Sequence, residues 1–270
     1  MTVLRSKRLA IIGMGNIGRI LLERLILSGV PAEHLIINDS EESRSQHASR
    51  RFGGRVCALT DEALRDADAF LLAAPPKSII GILESLRTHL HEGQVIVSFA
   101  AALPLHQLES VIPSSVSAVR VMPNAPSLVG QGMNPVAYGA SISPQAKMLV
   151  QSILRTLGQC IVVDDAQMNW CVGLTGAAMR SLLPALEGMI EAGIEAGFTE
   201  KEARHMAVRV MLGTAAMAAT RDLSFDELKS LTPMETLNET VLREIFLEAA
   251  RAAKEKIDRL QQKLEQSQVV

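Results

Sequence analysis

Apolar positions in the first 164 residues fall into short unbroken runs, separated by stretches with helical spacing. Leu9-Ala-Ile-Ile12, Leu35-Ile-Ile37, Ala69-Phe-Leu-Leu-Ala-Ala74, Val95-Ile-Val-Ser98 and Val119-Arg-Val-Met122 are such runs, with a shorter one at Val56-Cys-Ala58. Short runs without alternation suit strands buried on both faces of a parallel sheet. Between them Arg19 to Leu27 and Ser78 to Leu90 carry apolar residues at helical spacing, and Glu41 to Phe52 reads as a polar helix. A helix from Pro144 to Leu157 and a strand at Cys160-Ile-Val-Val163 close the series. This alternation predicts an α/β fold whose N-terminal part, residues 1–164, is a doubly wound domain. Beyond it the period changes. Gln167 to Thr175, Met179 to Ala196, Thr199 to Thr220 and Val241 to Leu264 all have helical spacing, which predicts an all-helical second domain over residues 165–270.

That second domain has more apolar surface than it can hide. Met179, Leu182, Leu183, Leu186, Met189, Ile190 and Ile194 surround most of one helix, and residues 203–219 are similarly rich in Ala, Val and Met. A helix apolar on every side must be covered, so a second copy of the chain is the expected cover, in a homodimer or larger assembly. Pro184 and Glu187 interrupt the stretch, which is too polar for a membrane span of about twenty apolar residues. The charged amphipathic segment from Arg251 to Gln266 reads as a solvated face.

With 270 residues, 48% of them hydrophobic, and a net charge of -2, the chain has no concentrated basic surface of the kind nucleic acid or an anionic membrane would require. Cys57, Cys160 and Cys171 are odd in number and lack CxxC spacing, and the six histidines form no HExxH, so neither a disulfide framework nor a metal site is expected. The basic start passes into an apolar run too short for a secretory signal, which points to the cytoplasm.

The candidate chemistry begins where the first strand ends. Gly13-Met14-Gly15-Asn16-Ile17-Gly18 lies between an apolar strand and an amphipathic helix, as a dinucleotide-binding turn does. Gly13 makes the tight turn, Gly15 lets backbone approach a pyrophosphate, and Gly18 lets helix and sheet pack closely. The helix N-terminus supplies N–H groups and a positive dipole end to the phosphates. Asn38-Asp39-Ser40 follows about twenty residues later, where the adenosine ribose is met. Ala74-Pro75-Pro-Lys77, the Ala100-Ala101 loop and Pro123-Asn124 end later strands on the same edge, and their small residues and prolines suit a wall for a flat nicotinamide ring.

The stretch Arg120-Val-Met-Pro-Asn-Ala-Pro-Ser-Leu-Val-Gly-Gln-Gly-Met133 resembles the signature of pyrroline-5-carboxylate reductases. Ala-Ala-Pro-Pro-Lys77, Ser98-Phe-Ala-Ala-Ala-Leu-Pro104, Gly173-Leu-Thr-Gly-Ala-Ala178 and Glu191-Ala-Gly-Ile-Glu-Ala-Gly197 follow that family's order, so the resemblance spans nearly the whole chain. It implies a Rossmann domain followed by helices that interlock with a second subunit, NADPH or NADH as hydride donor, and a cyclic imine acid as substrate. It also implies that backbone N–H groups and hydroxyls hold the substrate carboxylate. Thr236, or alternatively Thr175, would offer the hydroxyl nearest the substrate nitrogen, with Thr232, Glu235 and Asn124 lining the substrate site. Asn38 resembles NADP-using members, whereas Asp39 replaces a basic residue and would repel a 2′-phosphate; Ser40, Ser43 and Arg44 offset this, and the balance favours NADPH with NADH accepted.

One segment departs from the family. Its loop before the final helix reads Ser-Pro-Gly-Gly-Thr-Thr, and here Thr232-Pro233-Met234-Glu235-Thr236-Leu237 has neither glycine. Side chains at those positions reshape a loop that relies on close backbone approach. This leaves open a reductase acting on a different imine or β-hydroxyacid-type substrate, or a non-catalytic NADP-binding regulatory protein. The β-hydroxyacid dehydrogenases rely on a lysine and an asparagine about a turn apart in the first long helix, where this chain offers Arg180 alone.

Overall fold

A computed structural model describes residues 2–220, 222–232 and 234–267. The apolar runs become strands β1 (Leu9–Ile12), β2 (Leu35–Asn38), β3 (Arg55–Val56), β4 (Ala69–Leu72), β5 (Val95–Ser98) and β6 (Ser117–Val121), followed by β7 (Gly132–Tyr138) and β8 (Gly158–Val162). They form one sheet in the order β3-β2-β1-β4-β5-β6-β7-β8. Strands β1 to β6 pair in parallel. The order turns outward in both directions from β1 and β4, which opens a crevice at their carboxyl ends.

Helices α1 (Asn16–Leu27), α2 (Glu42–Phe52), α3 (Pro76–Leu86), α4 (Leu105–Glu109) and α5 (Pro144–Leu157) cover the sheet. On one face Leu9, Ile11, Leu71, Val97 and Val119 pack on Leu21, Leu22 and Leu25 of α1 and on Val150, Ile153 and Leu154 of α5. On the other, Ala10, Ile12, Phe70, Leu72 and Ile96 meet Ile79, Leu83 and Leu86 of α3. Alternate strand residues thus feed opposite layers, which is why these strands carry no polar face.

Strand β7 is not expected from the sequence, because Asn134 and Pro135 interrupt its apolar pattern. It pairs antiparallel with β6, Val119 opposite Tyr138 and Val121 opposite Val136, and parallel with β8. Asn134 is fully buried, accepting a hydrogen bond from the Ser127 hydroxyl at 3.1 Å and donating to the Gln159 carbonyl at 3.0 Å, so its polar groups are satisfied inside the sheet.

Past β8 the chain is helical: α6 (Met168–Cys171), a π-helical segment Val172–Ala177, α7 (Ala178–Glu195), α8 (Glu200–Thr220), α9 (Phe225–Ser230) and α10 (Glu239–Ser267). Two compact units result, residues 1–176 with 251–270, and residues 177–250. This differs from a single division after residue 164, because the start of the helical region and the end of α10 both group with the strands. The segment read as a solvated tail is in part engaged there: Asp258 and Gln261 accept hydrogen bonds from the Asn169 amide at 3.0 and 2.8 Å, and the Lys254 ammonium lies over the Trp170 ring. In the helical unit, α7 and α8 approach closely where Gly193 faces Ala203.

Candidate active site

The crevice at the ends of β1, β2 and β4 is a cleft of about 590 Å³. Gly13, Gly15, Asn16, Ile17, Asn38, Asp39, Ser40, Ala74, Pro75 and Lys77 all line it, together with Arg44. The remaining members of the glycine turn stand behind. Met14 has a buried side chain, and Gly18 is packed so tightly that a Cβ there would overlap the Gly13 carbonyl oxygen. Gly13 has φ +99°, and a Cβ on it would lie 2.7 Å from the Ala73 carbonyl carbon. At Gly15, by contrast, an added Cβ would meet no atom within 4 Å, so the backbone there is open to close approach from the cleft.

Asp39 does more than face the cleft. One carboxylate oxygen accepts the Met14 N–H at 2.7 Å and the other accepts the Glu41 N–H at 2.9 Å, so this side chain braces the glycine turn against the end of β2. Asn38 turns its amide away, donating to the Cys57 carbonyl at 2.7 Å. A second pocket of about 570 Å³ adjoins the turn, lined by Met14, Gly15, Asn16, Arg19, Ser43, Arg44 and His47. Arg19 and His47 were not singled out by the sequence. Their signal is faint but real: Arg19 follows Gly18 directly, and His47 stands one turn beyond Arg44 on α2.

Ala100, Ala101, Pro123 and Asn124 do not line either pocket; they sit at the ends of β5 and β6, the next strands along the same edge. Here the fold joins two positions far apart in sequence. The Asn124 amide nitrogen donates to the Thr175 carbonyl at 3.2 Å, and its oxygen accepts the Met133 N–H at 3.2 Å. Thr175 lies in the π-helical segment and donates its hydroxyl proton to the Cys171 carbonyl at 2.7 Å, which leaves the hydroxyl oxygen able to accept. Such single-turn π segments within helices often occur at functional sites. Burial pushes the nearby Cys171 thiol up from its ordinary value, a shift opposed by the Arg120 charge.

Thr232, Glu235 and Thr236 belong to the helical unit and are exposed; Pro233 lies outside the described residues. Glu235 and Thr236 line a cavity of about 750 Å³ with Phe225, Lys229, Leu237, Arg243 and Phe246, whereas Thr232 does not. Hydrogen bonding to Glu239, at 2.7 Å, holds Lys229 protonated above its ordinary range.

Two family models match the chain: "NADP oxidoreductase coenzyme F420-dependent" over residues 8–102 and "Pyrroline-5-carboxylate reductase dimerisation" over residues 165–260. The pyrroline-5-carboxylate reductase of Haemophilus influenzae is 31% identical over 219 residues, covering 79% of each protein. The chain belongs to the pyrroline-5-carboxylate reductase family. That of Corynebacterium melassecola is 28% identical over 266 residues, 93% of this chain and 98% of the relative. A crystal structure of Plasmodium falciparum pyrroline carboxylate reductase with NADP bound has a TM-score of 0.84 over 96% of this chain and 99% of that one, at 19% identity, a likeness of fold. In pyrroline-5-carboxylate reductase terms, the glycine turn, Asn38–Ser40 and Ala74–Lys77 lie within the first matched segment. Thr175 and the loop 232–237 lie within the second.

Proposed function

We propose that the chain reduces a cyclic imine acid with NADPH, the substrate being pyrroline-5-carboxylate and the product proline. The observation that carries this reading is the cleft at the glycine turn, open at Gly15 and braced by Asp39, in a chain belonging to this family. The residues fit a dinucleotide: open space beside Gly15 where an added Cβ would meet no protein atom, a helix N-terminus behind it, and Ser40 and Arg44 at the ribose end. When bound, the cofactor supplies the hydride for the imine carbon.

The protein's own part is orientation and electrostatics. The glycine turn holds the pyrophosphate, and Arg44, with Arg19, Ser43 and His47 beside it, favours a 2′-phosphate over the repulsion of Asp39. Ala74, Pro75, Lys77, Ala100, Ala101 and Pro123 wall the nicotinamide. The Thr236 hydroxyl, or that of Thr175, hydrogen-bonds the substrate nitrogen, because an iminium accepts hydride far better than a neutral imine. Asn124, in the strand-bearing unit, and Thr232 and Glu235, in the helical unit, are each assigned a substrate contact in this reading. A homodimer formed through residues 165–230 covers the helical unit, and the enzyme works in the cytoplasm. Glu235 and Leu237 in the 750 Å³ cavity favour a second reading, a bulkier imine acid as the native substrate.

Full-length protein mixed with pyrroline-5-carboxylate and either reduced cofactor tests this by loss of nicotinamide absorbance. The expected result is turnover, faster with NADPH at equal concentration. A tenfold advantage for NADH, about 1.4 kcal/mol, makes Asp39 the governing residue. No turnover, restored by Glu235→Gly with Leu237→Thr, favours the bulkier substrate; inactivity of both proteins overturns the imine-reductase reading.

A further inference from the structure

Arg120 is a charged side chain where the sheet should be apolar. It sits in β6, 1% exposed, on the same face as Ala118 and Met122, which pack with Met168 and Cys171. Its guanidinium donates to Asp165 at 2.9 Å and to Asn169 at 3.0 Å, and its Nε finds no partner among the described residues. Each partner is itself tied elsewhere. The second Asp165 oxygen accepts the N–H of Leu105, the first residue of α4, at 2.9 Å. The Asn169 amide donates to Asp258 and Gln261 near the end of α10. Asp258 is held in its charged form, its carboxyl below the ordinary range, chiefly by the Lys254 ammonium at 2.6 Å.

Replacing a buried ion pair by well-packed apolar residues is often neutral or stabilising, so stability alone does not explain this guanidinium. What it provides is register. Directly or through Asp165 and Asn169, this side chain links four segments: the β5–α4 loop at residues 99–104, the end of β6 that leads into Met122–Pro126, the helix start at 165–177, and the end of α10. Two of these are the loops assigned to the nicotinamide wall, and the third carries Thr175, whose carbonyl meets Asn124. We infer that Arg120 is a positioning residue, aligning the nicotinamide-side loops with the helix that bears Thr175 and extending that alignment through Asn169 to the C-terminal helix. This rests on the reductase reading above.

Arg120→Met and Arg120→Lys test it in the full-length protein. For Arg120→Met we expect kcat with pyrroline-5-carboxylate to fall about tenfold or more while the Kd for NADPH, whose phosphates bind at the distant glycine turn, stays within about twofold. Arg120→Lys, able to keep one of the two partners, should recover part of the loss. Should the methionine variant not fold, Asp258→Ala with Gln261→Ala removes the outer links from the C-terminal helix, and a fall in kcat of about threefold at unchanged Kd is the expected result. Unchanged kcat in the variants that fold, or kcat and cofactor affinity falling together, overturns the inference. If the parent protein itself does not turn over, the reductase reading fails separately, and amide hydrogen exchange decides the present point. Faster exchange at 98–104, 122–126 and 168–177 in Arg120→Met, with residues 13–18 unchanged, supports it; uniform change or none overturns it.

Discussion

Three glycines within six residues face three different neighbours, and that difference separates folding from binding. At Gly13 and Gly18 an added methyl meets protein backbone, so alanine at either disturbs the strand-to-helix junction. Gly15 has an ordinary φ of −70° and open space beside it, so alanine there costs the protein itself little. Gly15→Ala should therefore keep its melting temperature and lose about tenfold or more in cofactor affinity, about 1.4 kcal/mol, by fluorescence titration. Full affinity would show that the turn holds no pyrophosphate. The pattern of glycines was legible in the sequence; the distinction among them was not, since it depends on Ala73 and on the Gly13 carbonyl coming alongside. Asp39 teaches the same lesson. Its distance from the turn marks it as a ribose contact, but that one oxygen already accepts the Met14 N–H follows only from the way β1 and β2 lie side by side, while the other accepts the Glu41 N–H two residues on in a local turn.

Among elements, the strands of unbroken apolar residues were legible because burial on both faces leaves nothing else for them to be. Strand β7 was not, since Asn134 and Pro135 imitate a loop and are accommodated only by bonds to Ser127, Gln159 and Met122 supplied from elsewhere. The π-helical segment was hidden for a related reason: an altered hydrogen-bond ladder leaves little trace in apolar spacing over six residues. The join of β7 and β8 depends on two glycines back to back. Gly158 has φ +138°, and a Cβ on it would overlap the Gly132 backbone. Gly158→Ala should lower unfolding free energy by about 3 kcal/mol or more in a denaturant titration, through strain and displacement combined. A loss below about 1 kcal/mol would mean that the two strands separate without cost.

For the whole molecule, the helical unit carries the strongest demand. α7 has no buried residue, with Leu182 49%, Met189 39% and Ile194 46% exposed, and α8 buries only Ala203 and Ala207. The sequence showed this excess as helices apolar on every side, and the match to a dimerisation family names the kind of contact that removes it. Placing a charge at this surface with Met189→Asp should abolish the folded dimer rather than yield a stable monomer, because such interfaces act as shared cores. A well-dispersed monomer of the parent chain by light scattering would contradict that. A protein assembled in this way has an abundance that is not proportional to its synthesis. Near the dissociation constant, halving production removes more than half of the folded species by mass action, so gene dosage acts with greater than linear effect. In a cell making two versions of the chain, one with Gly15→Ala, the defective copy still offers an intact pairing surface and draws normal copies into mixed pairs in proportion to its amount.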